Sequence, residues 1–254
     1  MGASSRWRTA IFATFAVVAF ASPSLAKTTT PTGPTIETGA LSLLQTAAAY
    51  LKEQPSFAFS ADIVHEDVQP PDIKIQFHAT AQYMITRPGQ LRVDYASDRR
   101  QASFYIDGKN FVLYDKAKNT YGILQAQNDI DATLNAILDK YDFSVPLADL
   151  VSNDPYKALG SKVQGAYDLG VSTVGGFTTH HLLFIQKDID WQLWVDAGPT
   201  PLIRELEITY KNLPGQPEYM ATLTDWKIAP VDASVFTFTP PKGAVLIDFV
   251  VVQP

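Results

Sequence analysis

The segment of residues 73–86 constrains the fold of this chain more than any other. Apolar side chains stand at every odd position from Ile73 to Ile85 and alternate with mostly polar side chains at the even positions. This period of two is that of a β-strand with one buried face and one wet face. At about 3.3 Å per residue such a strand is roughly 46 Å long and has to coil with the twist of its sheet. The segment therefore predicts a strongly curved antiparallel sheet.

Further period-two segments, separated by turn residues, occur on both sides of this strand. They predict about eleven strands in a single domain, residues 36–254, and no repeat of fixed period is present. Near the C-terminus, strands are expected over residues 235–239 and 246–251. The expected fold class is α+β, because two segments have a helical period instead.

Apolar residues at spacings of three and four predict helices over residues 38–54 and 129–141. Ser144 precedes Val145 and Pro146 and is expected to cap a short helix that runs through Val151. The sequence Asn-Asp-Pro at 153–155 is expected to close this helical insertion. The helices are expected to cover the apolar face of the curved sheet, since an apolar sheet face has to be buried against another element.

The N-terminal residues have the pattern of a secretory signal. Arg6 and Arg8 precede an apolar run over residues 10–21, and Ser24 and Ala26 supply the small residues that signal peptidase recognises. The run reaches only about 18 Å, which is short of a bilayer core of about 30 Å. We therefore expect residues 1–26 to be a signal peptide cleaved after Ala26, followed by a flexible lead-in over residues 27–35.

The chain contains no cysteine. An acyl anchor of the bacterial lipoprotein type needs a cysteine at the cleavage point, and a disulfide needs two, so neither is expected. Together with the signal, this composition predicts an exported, soluble periplasmic protein without a lipid anchor, which we expect to be a monomer.

Charge and missing motifs exclude several classes of function. The formal net charge of −6 is unfavourable for nucleic acid as a partner. The sequence has no glycine-rich phosphate loop and no nucleophile elbow, which predicts no nucleotide cofactor and no common hydrolase chemistry. His180 and His181 are neighbours on one predicted strand, so they point to opposite faces and no metal site is expected. A hydrolase that uses polar residues at the mouth of the sheet is a minor alternative.

Three blocks of sequence resemble the LolA and LolB type of lipoprotein carrier and its relatives. The first block is Thr-Arg-Pro-Gly-Gln-Leu-Arg-Val-Asp-Tyr at 86–95, followed by 105–109 and 113–115. The second is Val-Phe-Thr-Phe-Thr-Pro-Pro-Lys-Gly-Ala at 235–244, which is similar to the closing segment of the carriers. The third, within residues 181–202, looks like an uncharacterised group of predicted periplasmic proteins that shares the carrier fold.

The resemblance implies an unclosed antiparallel half-barrel whose concave side is covered by helices. In the carriers, the arginine of the Arg-Pro turn helps to hold the helical lid closed, and Arg87 matches that position. A tryptophan common in the carriers is replaced here by Val93, with Tyr95 nearby, so the ligand preference of the carriers does not transfer directly.

The expected function is a non-enzymatic binder or carrier of lipid or lipoprotein acyl chains in a concave hydrophobic cavity. The expected lining consists of apolar residues on the inner face of the sheet and on the mid-chain helix: Phe59, Ile75, Phe77, Tyr83, Val93, Tyr95, Phe104, Leu134 and Leu138. The alternative is a cell-envelope interaction or stress-sensing module on the same fold, with a filled core and an envelope membrane protein as partner. The two differ in whether the space between the helices and the sheet is open.

Overall fold

The computed structural model describes residues 33–141, 143 and 145–249 of the chain. At its centre is the hairpin of β1 (Ser56–Gln69) and β2 (Ile73–Thr86), with continuous register from Ser56 opposite Thr86 to Gln69 opposite Ile73. The predicted long strand is confirmed with the same bounds. Because odd residues stand opposite odd residues, the apolar sides of both strands share one face.

The sheet has twelve strands in the order β12-β6-β5-β4-β3-β2-β1-β11-β10-β9-β8-β7. The other strands are β3 (Gln90–Ser97), β4 (Gln101–Asp107), β5 (Asn110–Asp115), β6 (Thr120–Gln125), β7 (Gly165–Val174), β8 (Phe177–Ile185), β9 (Ile189–Asp196), β10 (Ile203–Tyr210), β11 (Glu218–Lys227) and β12 (Val245–Leu246). The order ends in two different strands within the described part of the chain, so the sheet is open. The predicted unclosed α+β half-barrel is confirmed.

The helices are α1 (Thr38–Glu53), α2 (Ile130–Tyr141), α3 (Ala148–Val151) and α4 (Pro155–Gly160), and we call them together the helical cover. The predicted bounds of α1 and α2 differ from these by one residue. Helix α4 was not predicted, because Asp154 and Pro155 were interpreted as the end of the insertion. Asp154 instead caps α4 by accepting a hydrogen bond from the backbone N–H of Lys157, and Pro155 fills the first turn. The predicted cap Ser144 lies outside the described residues.

The C-terminal arm, residues 228–249, differs most from the sequence-based expectation. The predicted strand over 235–239 is wrong: the Asp232 carboxylate accepts from the N–H of Ser234 and starts a 3-10 helix, Ala233–Phe236. Of the predicted strand over 246–251, the described residues form only the two-residue β12, which pairs parallel with β6. Pro240 and Pro241 precede it and have no backbone N–H to donate to a ladder, which limits strand formation here.

The C-terminal arm passes from the outer face of the sheet to the concave face around β6. On the outer face, the ring of Phe238 packs against three tyrosines at centroid distances of 5.3–5.4 Å: Tyr105, Tyr114 and Tyr121. On the concave face, the ring of Phe249 lies 6.1 Å from Phe111 and 5.3 Å from Tyr141 of α2. The arm therefore covers the β6 edge of the open sheet.

The signal peptide, its cleavage point and most of the lead-in fall outside the described residues. At the described end of the lead-in, Thr35 donates its N–H to the Tyr167 hydroxyl, and Ile36 forms a parallel bridge with Ala166 of β7. Among the described residues, no helix combines the length and the hydropathy needed to span a bilayer.

Candidate functional site

Four aromatic rings fill the concave side of the central strands, and we call them the aromatic interior: Phe57, Phe59, Tyr83 and Trp226. The ring centroid of Phe59 lies 4.6 Å from that of Tyr83 and 4.5 Å from that of Trp226, and both pairs are stacked. Phe57 stacks on Trp226 at 6.0 Å. Stacked aromatic pairs add about 0.5–1.5 kcal/mol to the gain from burial, so this group is a stable part of the core.

Trp226 reaches the aromatic interior because of a β-bulge, which the sequence analysis missed. The register between β1 and β11 shifts between Ala58 and Ser60, and Asp225 opposite this shift has a left-handed backbone with φ of 51°. The bulge reverses the alternation of β11 and turns Trp226 inward, where its indole N–H donates to the Ile203 carbonyl at 3.1 Å. The sequence contains one sign of this bulge. The apolar residues Leu223 and Trp226 are three positions apart, whereas strict alternation places inward residues an even number of positions apart.

Four of the predicted lining residues lie together on the buried concave face. Tyr83 stands opposite Val93, and Val93 stands opposite Phe104 on the next strand, while Phe59 stacks on Tyr83. None of the four is more than 4% exposed. Side chains of the protein itself occupy this part of the predicted cavity.

The two predicted lining residues on α2 are not brought into this group. The helix buries Ile130, Thr133 and Ile137, whereas Leu138 is 44% exposed and Leu134 is half-buried beside a separate cleft between the helices. Thr133 can replace an apolar residue on the buried side because its hydroxyl donates to the Asp129 carbonyl and accepts from the N–H of Gln127.

The predicted lining residues on the outer part of β2 lie beyond the helical cover. Ile75 is 40% exposed and Ile73 is 57% exposed, although both share the face of Tyr83. Phe77 is half-buried, with the guanidinium carbon of Arg99 3.4 Å from its ring centroid. The apolar face of the long hairpin therefore continues past the aromatic interior into solvent.

An open cleft of about 320 Å³ lies where the aromatic interior ends, and we call it the mouth cleft. Its lining combines residues at the ends of β1, β3, β10 and β11 with the loops after α2 and β10: Ile63, His65, Glu66, Tyr95, Pro146, Tyr210, Leu213, Pro217, Glu218 and Tyr219. Tyr95 is the one predicted lining residue among them. A volume near the lower limit for small-molecule sites, with mostly apolar and aromatic walls, suits part of an apolar ligand.

Two tyrosine hydroxyls lie at the inner end of the mouth cleft. The Tyr83 hydroxyl donates to the Pro146 carbonyl at 3.0 Å and so ties the roof of the cleft to β2. The Tyr219 hydroxyl is buried and has no hydrogen-bond partner among the described residues. Burial raises the pKa of both tyrosines, so both hydroxyls remain protonated donors at neutral pH. An unpartnered buried hydroxyl costs about 1–3 kcal/mol of stability.

The carboxylates of Glu66 and Glu218 lie with Lys74 on the outer face of the strands whose inner face lines the mouth cleft. Lys74 Nζ lies 3.0 Å from Glu66 Oε2 and 3.8 Å from Glu218 Oε1. Burial by itself would raise the pKa of Glu66, but the hydrogen bond and the charge of Lys74 together lower it. The lowered pKa keeps Glu66 charged at neutral pH, so its ion pair with Lys74 is part of the outer surface.

Arg87 joins the end of β2 to the helical cover. Its guanidinium donates to the carbonyls of Val151 and Ser152, to the side-chain oxygen of Asn153 and, at 3.4 Å, to the carbonyl of Leu51 at the end of α1. Burial lowers the pKa of Arg87, and the nearby Asp131 carboxylate opposes that effect. The arginine thus connects β2 to two distant segments, the end of α1 and residues 151–153.

In the described ranges, no group of three or more His, Asp or Glu side chains is arranged to hold a metal ion. His181 stacks on Trp194 with ring centroids 4.2 Å apart and hydrogen-bonds to Gln192 at 2.8 Å. His180 is opposite Val195 in the register of the same strands.

A family model described as "Predicted periplasmic protein (DUF2092)" matches residues 40–250. The match covers most of the chain, so the chain belongs to this family, and the predicted resemblance to an uncharacterised periplasmic group is confirmed. No curated protein matches the chain in sequence.

Several solved structures are similar to this one at low sequence identity. An uncharacterized conserved protein from Thermus thermophilus is 10% identical with a TM-score of 0.48, and the alignment covers 80% of this chain and 98% of that one. LprF from Mycobacterium bovis is 15% identical with a TM-score of 0.47, covering 84% and 99% of the two chains. A LolA superfamily protein from Nitrosomonas europaea is 11% identical with a TM-score of 0.37, covering 78% and 97%.

Proposed function

We propose that this member of the DUF2092 family is a non-enzymatic periplasmic binder of lipid or lipoprotein acyl chains, exported by a signal peptide cleaved after Ala26 and free of a lipid anchor. The observation that carries the proposal is the mouth cleft, an open apolar cleft of about 320 Å³ directly beyond the aromatic interior. The predicted binding place moves outward accordingly, from the filled part of the concave face to its open end. An acyl chain enters there and lies against Ile63, Tyr95 and Leu213.

The size of the mouth cleft supports weak, reversible binding. Burial of a chain contributes about 0.8 kcal/mol per methylene, and a whole myristoyl chain entering a membrane reaches an association constant of only about 10⁴ M⁻¹. A cleft that holds only part of a chain is therefore expected to bind it with a Kd above about 10⁻⁴ M. Such a protein accepts and releases its ligand readily, which suits a carrier.

A larger part of the chain could be buried if the helical cover moved. Arg87 supplies most of the polar contacts between the end of β2 and the loop after α3, through Val151, Ser152 and Asn153. In this proposal, Arg87 sets how easily the cover separates from the sheet, which is the role that its match to the carrier arginine implies.

The proposal is tested with a pyrene-labelled acyl ester and a matched pair of leucine variants. Leu213 lines the mouth cleft and is 46% exposed, whereas Leu169 on β7 is 51% exposed and lies outside the cleft. Leu213→Glu places a charge against the chain and is expected to weaken binding about tenfold. Leu169→Glu is expected to bind the probe like the wild type. Failure of the wild type to bind the probe, or equal binding by both variants, contradicts the proposal.

The filled aromatic interior and the exposed Ile73 and Ile75 favour one second candidate, a module that contacts an envelope membrane protein through the outer part of the β1–β2 hairpin. Native mass spectrometry of protein purified from its own periplasm separates the two candidates. Acyl species in the spectrum support the binder. Their absence, together with a membrane protein cross-linked to position 75, supports the module.

A further inference from the structure

The outer part of β2 has an edge that no strand in the described part of the chain pairs with. The ladder between β2 and β3 begins at Ala79 opposite Ser97, whereas β2 itself begins at Ile73. Five of the residues 73–78 are exposed and none of them is buried. On the other side, β2 pairs with β1 along its whole length. We call residues 73–77 the free edge.

The backbone groups of the free edge point outward. Directly after β2, Arg87 donates its N–H to the Pro55 carbonyl, on the side of β1. The direction of the backbone groups alternates along an antiparallel strand, and the register with β1 is continuous over all of β2. The N–H and C=O groups of Lys74 and Gln76 therefore point away from β1, to the side where a further strand would lie.

The two end strands of the sheet are blunted in ways that the free edge is not. On β7, a bulge interrupts the register between Asp168 and Val171, and the Glu37 carboxylate accepts from the N–H of Asp168. At the other end, β12 has only two residues and follows two prolines. Bulges, very short strands and prolines protect sheet edges from pairing with another chain. The free edge has five regular residues and no proline, so it is the edge best suited to accept a strand.

A second copy of this chain matches the free edge along its whole length. When a two-fold axis passes through Ile75, Ile75 stands opposite itself and Ile73 stands opposite Phe77 of the other copy. Lys74 then stands opposite Gln76, and these two residues exchange the backbone hydrogen bonds. Pairs of aromatic and β-branched side chains on one face stabilise an antiparallel ladder, so this register uses the exposed apolar side chains.

Neighbouring registers fit less well. An axis at Lys74 places two ammonium groups opposite each other, which destabilises a ladder. An axis at Gln76 places Ile73 opposite Ala79, which is already paired with Ser97. The axis at Ile75 is therefore the one that uses the free edge without repulsion or overlap.

Opposite charges also meet at the ends of the free edge in this register. Asp72, in the turn before β2, is exposed, and the pairing brings it beside His78 of the other copy. The loop over residues 98–100 follows β3 at that level, and it carries two arginines and one aspartate. The loop thus presents a net positive charge to Asp72, and the two-fold axis repeats this contact.

We propose that two copies of this protein pair antiparallel through the free edge of β2, with the two-fold axis at Ile75, so that two half-barrels share one continuous sheet. The pair replaces the monomer expected from the sequence, and it is independent of acyl binding in the mouth cleft. A short edge buries little surface, so the pair is weak and reversible. Directly opposed residues share a face, so both mouth clefts lie on the same side of the joined sheet.

The experiment uses the absence of cysteine from the chain, because a single introduced cysteine can form a disulfide only with a second copy. The variants Ile75→Cys, Ile73→Cys and Val171→Cys are each oxidised with diamide, and the rate of dimer formation is measured by non-reducing electrophoresis. Exposure alone ranks Val171 first at 67%, Ile73 second at 57% and Ile75 last at 40%.

The two-fold register predicts the opposite order. Two cysteines at position 75 face each other in a non-hydrogen-bonded pair, with Cα atoms about 4.5 Å apart, within the range of a disulfide. Ile75→Cys is therefore expected to cross-link about tenfold faster than Ile73→Cys or Val171→Cys. A mixture of Ile73→Cys and Phe77→Cys is expected to form the mixed dimer faster than either variant forms its own, since these two positions oppose each other.

Sedimentation equilibrium measures the pair without a cross-link. The average mass of the wild type is expected to rise with concentration. Ile75→Lys places two ammonium groups opposite each other at the axis and is expected to weaken association about tenfold. Val171→Lys, on β7, is the matched control and is expected to associate like the wild type.

Three results would overturn the proposal. The first is cross-linking that follows exposure, with Val171→Cys the fastest, and the second is a wild type that keeps the mass of one chain up to about 1 mM. The third is a cysteine at position 75 that links only to other proteins in the periplasm, which would identify an extended segment of another protein as the occupant. Acyl binding is measured separately with the wild type and Leu213→Glu, so failure of the pair leaves the proposed function intact.

Discussion

Asp94, on the outer face of β3, carries one of the more densely paired charges of this molecule. Its carboxylate accepts from the Ser103 hydroxyl and lies 2.9 Å from Nε of Arg92 and 3.2 Å from Nζ of Lys116. Burial by itself would raise the pKa of Asp94, but these three partners together lower it below the usual value of 3.8. The charged form therefore stabilises the folded state.

Replacing Asp94 by Asn should make the free energy of unfolding less dependent on pH. A lowered folded pKa stabilises the protein above the unfolded value near 3.8, and this contribution is lost as the pH falls through the folded pKa. At neutral pH, Asp94→Asn is expected to cost about 1 kcal/mol, a value reduced for solvent screening of the partners. Urea unfolding at neutral pH and in acid measures the difference.

The other acids with lowered pKa are common to both proteins and cancel in that comparison. Asp98→Asn, in the exposed loop after β3, is the control and should follow the wild type at every pH. A difference between wild type and Asp94→Asn that stays constant down to about pH 2 would show that the aspartate acts through packing and not through its charge.

Single residues also mark where reasoning from sequence fails. Strict alternation on β11 assigns Trp226 to the outer face, yet the bulge at Asp225 turns it inward. A bulge depends on how two strands fit together, so one strand alone does not reveal it. By contrast, the buried state of Phe59 and Tyr83 followed from alternation, because the hairpin of β1 and β2 has continuous register.

At the scale of elements, Arg87 connects parts of the chain far apart in sequence. It reaches the end of α1 at Leu51 and the end of α3 at Val151. Arg87→Ala leaves several carbonyls without their donor and is expected to lower the free energy of unfolding by about 2 kcal/mol. Arg87→Lys keeps the charge but not the fork of donors, and an intermediate loss is expected.

Urea unfolding measures these losses, and hydrogen exchange of the amides in α3 and the following loop locates them. Arg100→Ala is the matched control, because it also removes a guanidinium. Arg100 is exposed, and its guanidinium carbon lies 5.7 Å from the Phe143 ring. Exchange that rises equally in Arg87→Ala and Arg100→Ala would contradict the assigned contacts.

The elements that could be predicted are those with a long, regular pattern. Helix α1 and strand β2 have the predicted bounds to within one residue. Apolar residues recur over at least three turns of α1 and alternate several times along β2. Helix α4 has six residues, and its Asp-Pro start has the same composition as a turn. Short elements depend on tertiary contacts, and the sequence does not contain those contacts in local form.

At the scale of the whole molecule, the predicted single domain should unfold in one cooperative step. Helix α1 packs against β7, β9 and α4, and the C-terminal arm crosses the sheet at β6, so distant segments share one core. Calorimetry is expected to give a van't Hoff enthalpy close to the calorimetric enthalpy, a ratio of about one. Two separate transitions, or different midpoints by circular dichroism and by tryptophan fluorescence, would contradict the prediction.

The filling of the interior by side chains is the whole-molecule property that the sequence did not reveal. Alternation shows which face of a strand is apolar, but the volume left between that face and the helical cover depends on the curvature of the sheet and on side chains from distant segments. Trp226 and Phe143 occupy space that the individual strand patterns leave open. The site therefore lies at the end of the predicted cavity and shares only Tyr95 with the predicted lining.

The packing of the C-terminal arm has a consequence for how related chains can diverge. A Cβ at Gly122 of β6 would lie 2.5 Å from Cε2 of Phe249. Homologues that carry a side chain at position 122 then require a smaller residue at position 249. These two positions are therefore expected to covary, although 127 residues separate them in the sequence.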